Sequence, residues 1–434
     1  MRTGTDHLTV MVHTWGFIRS DNGKTAAGVP AVVFFGKGRD MKDSEYWKGV
    51  VTGVLGAAVI ACGGYLGYMR AVPEKTGVLS DPAHTQKIEY LESLIDEYYL
   101  DEKDEEQLAE GIYAGLLYGL GDAYSRYYTA EEYEKENAST EGAYVGIGIL
   151  MQENPEGGVA VAKCYEGSPA ETAGLEEGDV ISAVDGTDIT DMELDDVADM
   201  VKNCGKDSVV LTIHREDVPD AMDLTVEVTD VVLPSVFHEM LEDHVGYIRI
   251  SEFTGVTYDQ YMSAFADLTD QGMEKMVVDL RNNPGGLLDC VCEILNEILP
   301  EGLIVYTEDK YGNREEERSS GEKTLDLPLA VLVNESSASA SEIFAGAVQD
   351  YGIGAIVGTV TYGKGVVQTI RKLSDGSAVK LTTSNYYTPN GNNINKVGIT
   401  PDVEVKLDTD LLNRDEISHE EDNQLQEALK VLNQ

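Results

Sequence analysis

The chain has 434 residues, 42% of them apolar, which is more than one compact core accommodates, so two or three domains are expected. Its 78 Asp+Glu against 32 Lys+Arg give a net charge of −46. That excludes nucleic acid as a partner and lying on anionic lipid, since both need a basic face; the surplus reads as a solvating surface.

The first 48 residues are read as a short cytoplasmic N-terminus or an over-extended start, with Met41 as a more ordinary beginning. Gly49–Met69 is a run of 21 residues without a charge, long enough to span a bilayer as a helix, with Lys48 before it and Arg70 after it. No small-x-small cleavage site follows, so an uncleaved anchor is expected, with the remainder of the chain extracytoplasmic. An alternative is a lipoprotein box at Val59-Ile60-Ala61-Cys62, with Cys62 carrying lipid. Residues 71–82 form a linker with Pro73, Gly77 and Pro82.

Residues 82–141 read as a helical unit. Ile88, Leu91, Leu94 and Ile95, then Leu108, Ile112, Leu116 and Leu117, recur at three and four, and Gly121-Asp122 stops the second helix. Its apolar faces suit internal packing or the pairing of two protomers.

Residues 142–217 are rich in glycine and β-formers. Tyr144–Ile149 is expected as a strand entered through a glycine loop, followed by Val159–Ala162, the segment Gly167-Ser168-Pro169-Ala170, the tight turn at Asp185-Gly186, a helix over Leu194–Val201 and a strand over Val209–His214. GSPAETAGLEEGDVI and the later helix make this block resemble a PDZ domain. The backbone N–H groups around Gly146, Ile147, Gly148 and Ile149 suit a terminal carboxylate, an extended peptide suits the sheet edge, and Val197 and Val201 are expected to line its side-chain pocket. The turn Lys202–Ser208 carries no Arg-Gly pair and no downstream Gly-Thr.

Residues 229–406 alternate strands and helices, a mixed α/β layered core. Gly246–Ser251, Lys275–Leu280, Leu329–Val333 and Gly354–Thr361 read as strands, and Tyr258–Gly272, the stretch from Leu287 to Ile298, and the stretch after Ser339 as helices. Ser339 falls on a strand-to-helix turn, where free N–H groups and the positive end of the helix dipole favour a developing oxyanion. Gly285-Gly286 forms a turn at a neighbouring strand end, able to bring a second N–H close. Lys364 lies between glycines in Tyr362-Gly363-Lys364-Gly365, with Gln368 four residues on. As a base Lys364 must be neutral, which requires desolvation, and an uncharged glutamine is a suitable holder. Taken alone, the serines read as helix caps and Lys364 as a surface lysine.

The segments SASASEIFAGAVQDYG, VGTVTYGKGVVQ, DLRNNPGG and YYTPNGNNINKVGITPD resemble the carboxyl-terminal processing peptidases of serine peptidase family S41, over about residues 84–434. The resemblance implies a PDZ domain on a crotonase/ClpP-like layered peptidase core, with Ser339 as nucleophile, Lys364 as general base and Gln368 as its partner. It implies an oxyanion hole from the backbone N–H groups of Gly285 and Ala340. It also implies protein substrates recognised at apolar C-termini, no cofactor, and dimers linked through N- and C-terminal helices, matching a helix within the tail 407–434. Alanine at Ala123 stands where the family usually has proline.

His214, His238, His244 and His419 lie outside every motif, so a Ser-His-Asp triad is not expected. Asp279 and Arg281 read as structural. The five cysteines, Cys62, Cys164, Cys204, Cys290 and Cys292, make no CxxC or zinc spacing, so no metal site and no disulfide framework are expected. Two other functions compete: a non-catalytic PDZ scaffold at the membrane, and an acyl-CoA enzyme of crotonase type.

Overall fold

The computed structural model describes residues 77–434, apart from 217, 413, 415 and 416. The proposed anchor at 49–69 and Cys62 lie outside the described residues, and among those described no helix is long and apolar enough to cross a membrane. The chain divides after Lys103. Within the first body, the helix Pro82–Tyr98 starts at Asp81, whose carboxylate accepts from the Ala83 N–H at 2.9 Å, with proline where an N–H has no helical acceptor. None of its residues is buried, and Tyr90 and Leu91 are exposed.

In the second body, residues 104–434, the helix Glu105–Tyr118 is capped by Asp104 and ends at Gly119, two residues before the expected stop. A further helix, Ala130–Glu141, begins with a reciprocal capping box: Thr129 Oγ1 accepts from the Glu132 N–H and the Glu132 carboxylate from the Thr129 N–H.

The PDZ block folds as an antiparallel sheet in the order Ile149–Glu153, Val159–Cys164, Val180–Val184, Ser208–His214, Met222–Glu227. The sheet therefore continues past residue 217. The strand expected over Tyr144–Ile149 is broken: Ala143–Gly146 pairs with Thr229–Val232, and Ile149–Glu153 starts the PDZ sheet. The break falls at Gly148, whose φ of +82° is open to glycine and strained for other residues. Ile149–Glu153 is an edge strand. The helix Leu194–Lys202 covers the sheet with Val197 and Val201.

The core holds a six-stranded sheet in the order Val236–Leu241, Val245–Ile250, Lys275–Asp279, Leu329–Val333, Gly354–Gly358, Val403–Glu404. The first pair is antiparallel and the rest are parallel. Alternate residues face opposite layers. Ile248, Val278, Val331 and Val333 pack with the helices Leu288–Ile298 and Ala340–Tyr351, while Tyr247, Val277, Ala330 and Leu332 pack with Leu425 and Ala428 of the helix Asn423–Val431. Both faces are thus covered, as parallel strands require. The tail is part of the core. A second sheet runs Arg126–Tyr128, Ala378–Tyr387, Gly302–Asp309, Arg314–Ser319, with Val366–Lys372 also paired to Ala378–Tyr387. Cys164 and Cys204 are free thiols; Cys290 and Cys292 are buried within their helix.

Candidate active site

Ser339 stands where the buried strand Leu329–Val333 turns into the helix Ala340–Tyr351. Its φ of 55° and ψ of −114° are strained for a residue with a Cβ, a conformation that persists only where the surroundings impose it. Those surroundings are visible. The Ser339 N–H donates to Glu342 Oε2 at 2.9 Å, and its carbonyl accepts from the buried Tyr386 hydroxyl at 3.1 Å. Ser337 Oγ donates to the Leu280 carbonyl at 2.7 Å, and the Ala338 N–H donates to the Asn283 carbonyl at 3.0 Å.

Gly285 belongs to the facing turn. Its φ is +108°, and a Cβ there would lie 2.7 Å from Ser339 Cβ and 3.0 Å from the Ala340 nitrogen. Gly285 therefore lets two turns meet at the nucleophile candidate, while Gly286 admits the Phe253 backbone. Ala340 opens the helix, so its N–H is among those with no acceptor inside it. The Gly285 N–H differs from expectation: it donates to Asn283 Oδ1 at 2.8 Å. Asn283 is fully buried and its side-chain amide donates to the Ile250 carbonyl at 2.9 Å, so this turn is held in a closed Asx arrangement.

Lys364 lies on the loop beyond Gly354–Gly358. Burial is the main cause that pushes its amine below the ordinary lysine value; the nearby Lys380 adds to it, and Glu342 and Glu136 oppose it. Its Nζ makes no hydrogen bond to Ser339 Oγ. It sits over the Tyr124 ring, 5.0 Å from the centroid. Gln368 does not hold the lysine here. Its Nε2 reaches Thr382 Oγ1 and the Val366 carbonyl, each at 3.4 Å, because Gln368 borders a register shift that turns it toward Thr382 on the paired strand.

Sequence reasoning passed over Glu342. Its side chain is fully buried and its two oxygens receive four donors: the N–H groups of Ser339 and Lys364 on Oε2, at 2.9 and 2.8 Å, and the Thr361 hydroxyl and Gly363 N–H on Oε1, at 2.6 and 2.7 Å. One acceptor-only group thus clamps the serine turn and the lysine loop together. The signal was the acidic residue three positions after Ser339, the N3 site of a helix cap.

Asp279 and Arg281 are structural in contact as well as in reading. Arg281 pairs with Asp279 at 2.6 Å and with Asp422 at 2.7 Å, and the Tyr247 hydroxyl donates to Asp279 at 2.7 Å. Asp422 also caps the helix Asn423–Val431, so this cluster ties the tail to the strand end that leads into the Gly285 turn.

The PDZ residues are placed differently from one another. Gly146, Ile147 and Gly148 are buried at the break before the edge strand. Val197 and Val201 are 1% and 6% exposed and belong to the domain core, on the helix face that packs on the sheet.

Comparison with known proteins agrees with this architecture. Residues 244–405 match the family model of peptidase family S41, and residues 161–215 that of the PDZ domain. A probable CtpA-like serine protease of Staphylococcus epidermidis is 35% identical over 336 residues, covering 76% of this chain and 68% of that protein. A carboxyl-terminal-processing protease of Synechocystis sp. is 38% identical over 325 residues, covering 73% of this chain and 75% of that protein. Among solved structures, the photosystem II D1 C-terminal processing protease is similar, at 30% identity and a TM-score of 0.43, over 74% of this chain and 86% of that one. With such identity over two thirds or more of its relatives, this chain belongs to peptidase family S41 as a carboxyl-terminal processing serine endopeptidase.

Proposed function

We propose that the chain is a membrane-anchored, extracytoplasmic endopeptidase that takes proteins by apolar C-termini through its PDZ domain and cleaves them with Ser339 and Lys364. The observation that carries this reading is a strained serine turn and a half-buried lysine without an acidic partner at its amine, both fastened to Glu342. Ser339 Oγ attacks the scissile carbonyl carbon as its proton passes to neutral Lys364 Nζ. The oxyanion is met by the Ala340 N–H and, once it leaves Asn283, by that of Gly285. Lys364 then gives the proton to the leaving amine. Water, deprotonated by the same lysine, releases the acyl group from Ser339. Gln368 is the lysine's partner in the engaged state.

The edge strand Ile149–Glu153 supports peptide addition, with its carboxylate at Gly146–Ile149. Exposed Leu91, Ile112 and Leu116 support burial of these helices in a homodimer. The uncharged run 49–69 supports the anchor. Incubation of the full chain with one unfolded protein, ending either in apolar residues or in an acidic extension, tests the reading. The apolar-ended form should be cut faster. Equal cleavage of both removes PDZ selection of C-termini, and binding of the apolar end without cleavage favours the scaffold.

A further inference from the structure

Lys364 Nζ, in this arrangement, has neither a hydrogen-bond acceptor nor an ion-pair partner among the described residues; what it has is the Tyr124 ring, at 5.0 Å. The turn that carries the ring is tied down, and the ring's hydroxyl meets that of Tyr362. The Tyr124 N–H donates to Asp122 Oδ1 at 3.2 Å, Ser125 Oγ donates to Asp122 Oδ2 at 2.5 Å, and Ser125 Oγ in turn accepts from the Thr382 N–H at 3.0 Å. Thr382 is also the residue whose hydroxyl takes Gln368. Thr382 therefore bonds the turn that carries the ring, through Ser125, and the glutamine that does not reach the lysine.

We propose that Tyr124 is a positioning residue for Lys364, whose aromatic face retains the lysine's amino group away from Ser339 until the dyad engages. This rests on Lys364 being the base. The face of a ring attracts a cation and is indifferent to a neutral amine, so the contact favours the ammonium, the form that cannot accept the serine proton. The other charged or titratable groups facing Lys364 are Lys380, Glu342 and Glu136, with Tyr362 beside Tyr124. Only the ring both touches the amine and is uncharged. Loss of its face therefore lets the lysine become neutral at lower pH without altering the charge around it.

The test uses the full chain with Tyr124→Phe, which keeps the face, and Tyr124→Leu, which keeps apolar bulk and removes it. Phenylalanines of increasing fluorination at position 124 withdraw ring density at nearly constant shape, and serve if the leucine variant does not fold. The acid limb of kcat/KM against pH should move down by about half to one and a half pH units in Tyr124→Leu and stay in place in Tyr124→Phe. Well below the midpoint this is roughly a three- to thirtyfold gain. In a Ser339→Ala background, the pH dependence of Lys364 acylation by an amine-directed reagent, read by peptide mass spectrometry, should shift by the same amount. Acid limbs that superpose for all variants, or a shift in Tyr124→Phe equal to that in Tyr124→Leu, overturn the assignment. Failure of the underlying reading looks different: Lys364→Ala would then retain activity, while the acylation profile would still report on the ring.

Discussion

Glu342→Gln removes one acceptor oxygen from the clamp between the serine turn and the lysine loop, at almost no change in volume. If the amide nitrogen takes the Oε2 place, it faces the N–H groups of Ser339 and Lys364. If it takes the Oε1 place, it faces the Gly363 N–H and a Thr361 hydroxyl that already accepts from the Ile399 N–H at 2.7 Å. Either orientation strands at least one donor in a fully buried site, at about 1–3 kcal/mol for each. The stranded N–H groups belong to the nucleophile and base candidates themselves or to the neighbour of the base. Whatever the folded state relieves by moving those turns is therefore lost from the chemistry. At about 1.36 kcal/mol per decade, kcat/KM should fall at least about fivefold. The assay is cleavage of an unfolded protein with an apolar C-terminus, with the urea midpoint measured on the same sample. Wild-type rates and a wild-type midpoint together would refute the clamp. A lowered midpoint with wild-type rates would assign Glu342 to stability alone.

Three further outcomes follow from contacts in the same region. In Gly285→Ala the new Cβ at 2.7 Å from Ser339 Cβ forces a displacement of roughly 1 Å, which should cost about a hundredfold in kcat while the helical circular dichroism is retained; unchanged kcat would show that the turn yields elsewhere. Lys380→Met removes a positive neighbour of Lys364 and leaves Glu136 without the partner it holds at 2.7 Å, and both changes favour the Lys364 ammonium. The acid limb of the rate profile should therefore move to higher pH, and a downward move would contradict the assigned electrostatics. Asp422→Ala removes one of the two carboxylates paired with Arg281 and a helix cap while Asp279 still holds the guanidinium, at about 1–3 kcal/mol of unfolding free energy near neutral pH, read from the urea midpoint. Burial alone would raise the Asp422 carboxyl, but the Arg281 guanidinium and the Leu425 and Gln424 N–H groups hold it below the ordinary value of 3.8. A depressed pKa contributes stability above the unfolded value and loses it as pH falls through the folded one, so the gap between variant and wild type should narrow on acidification; a gap that widens would refute the pairing.

Much of the layered core was legible because its strands are continuous apolar runs and its turns carry glycines that only a close approach explains. The turns that carry Ser339, Gly285 and Lys364 are written locally, but alone the serine reads as a helix cap and the lysine as a surface residue, and their roles are expectations from the family resemblance. Glu342 was not, since its meaning depends on two loops some twenty residues apart folding onto one carboxylate. The burial of the two PDZ valines was not legible for a related reason. Val197 and Val201 share a helix face, but period alone does not tell a face turned to the groove from one turned to the sheet. The strand through Ile147 seemed continuous because the pattern of side chains does not reveal that Gly148 leaves it. Where Gln368 rests was not legible either: four residues from Lys364 along the chain, its amide here meets Thr382 beside a register shift that only the pairing of strands reveals.

Cleavage of an unfolded protein with an apolar C-terminus by wild type, Ser339→Ala and Lys364→Ala, followed side by side across the pH range, tests the dyad most directly. Wild type should cleave with an acid limb below the ordinary lysine value, and neither variant should cleave at any pH. Wild-type rates in either variant would contradict the assignment of Ser339 as nucleophile and Lys364 as its base.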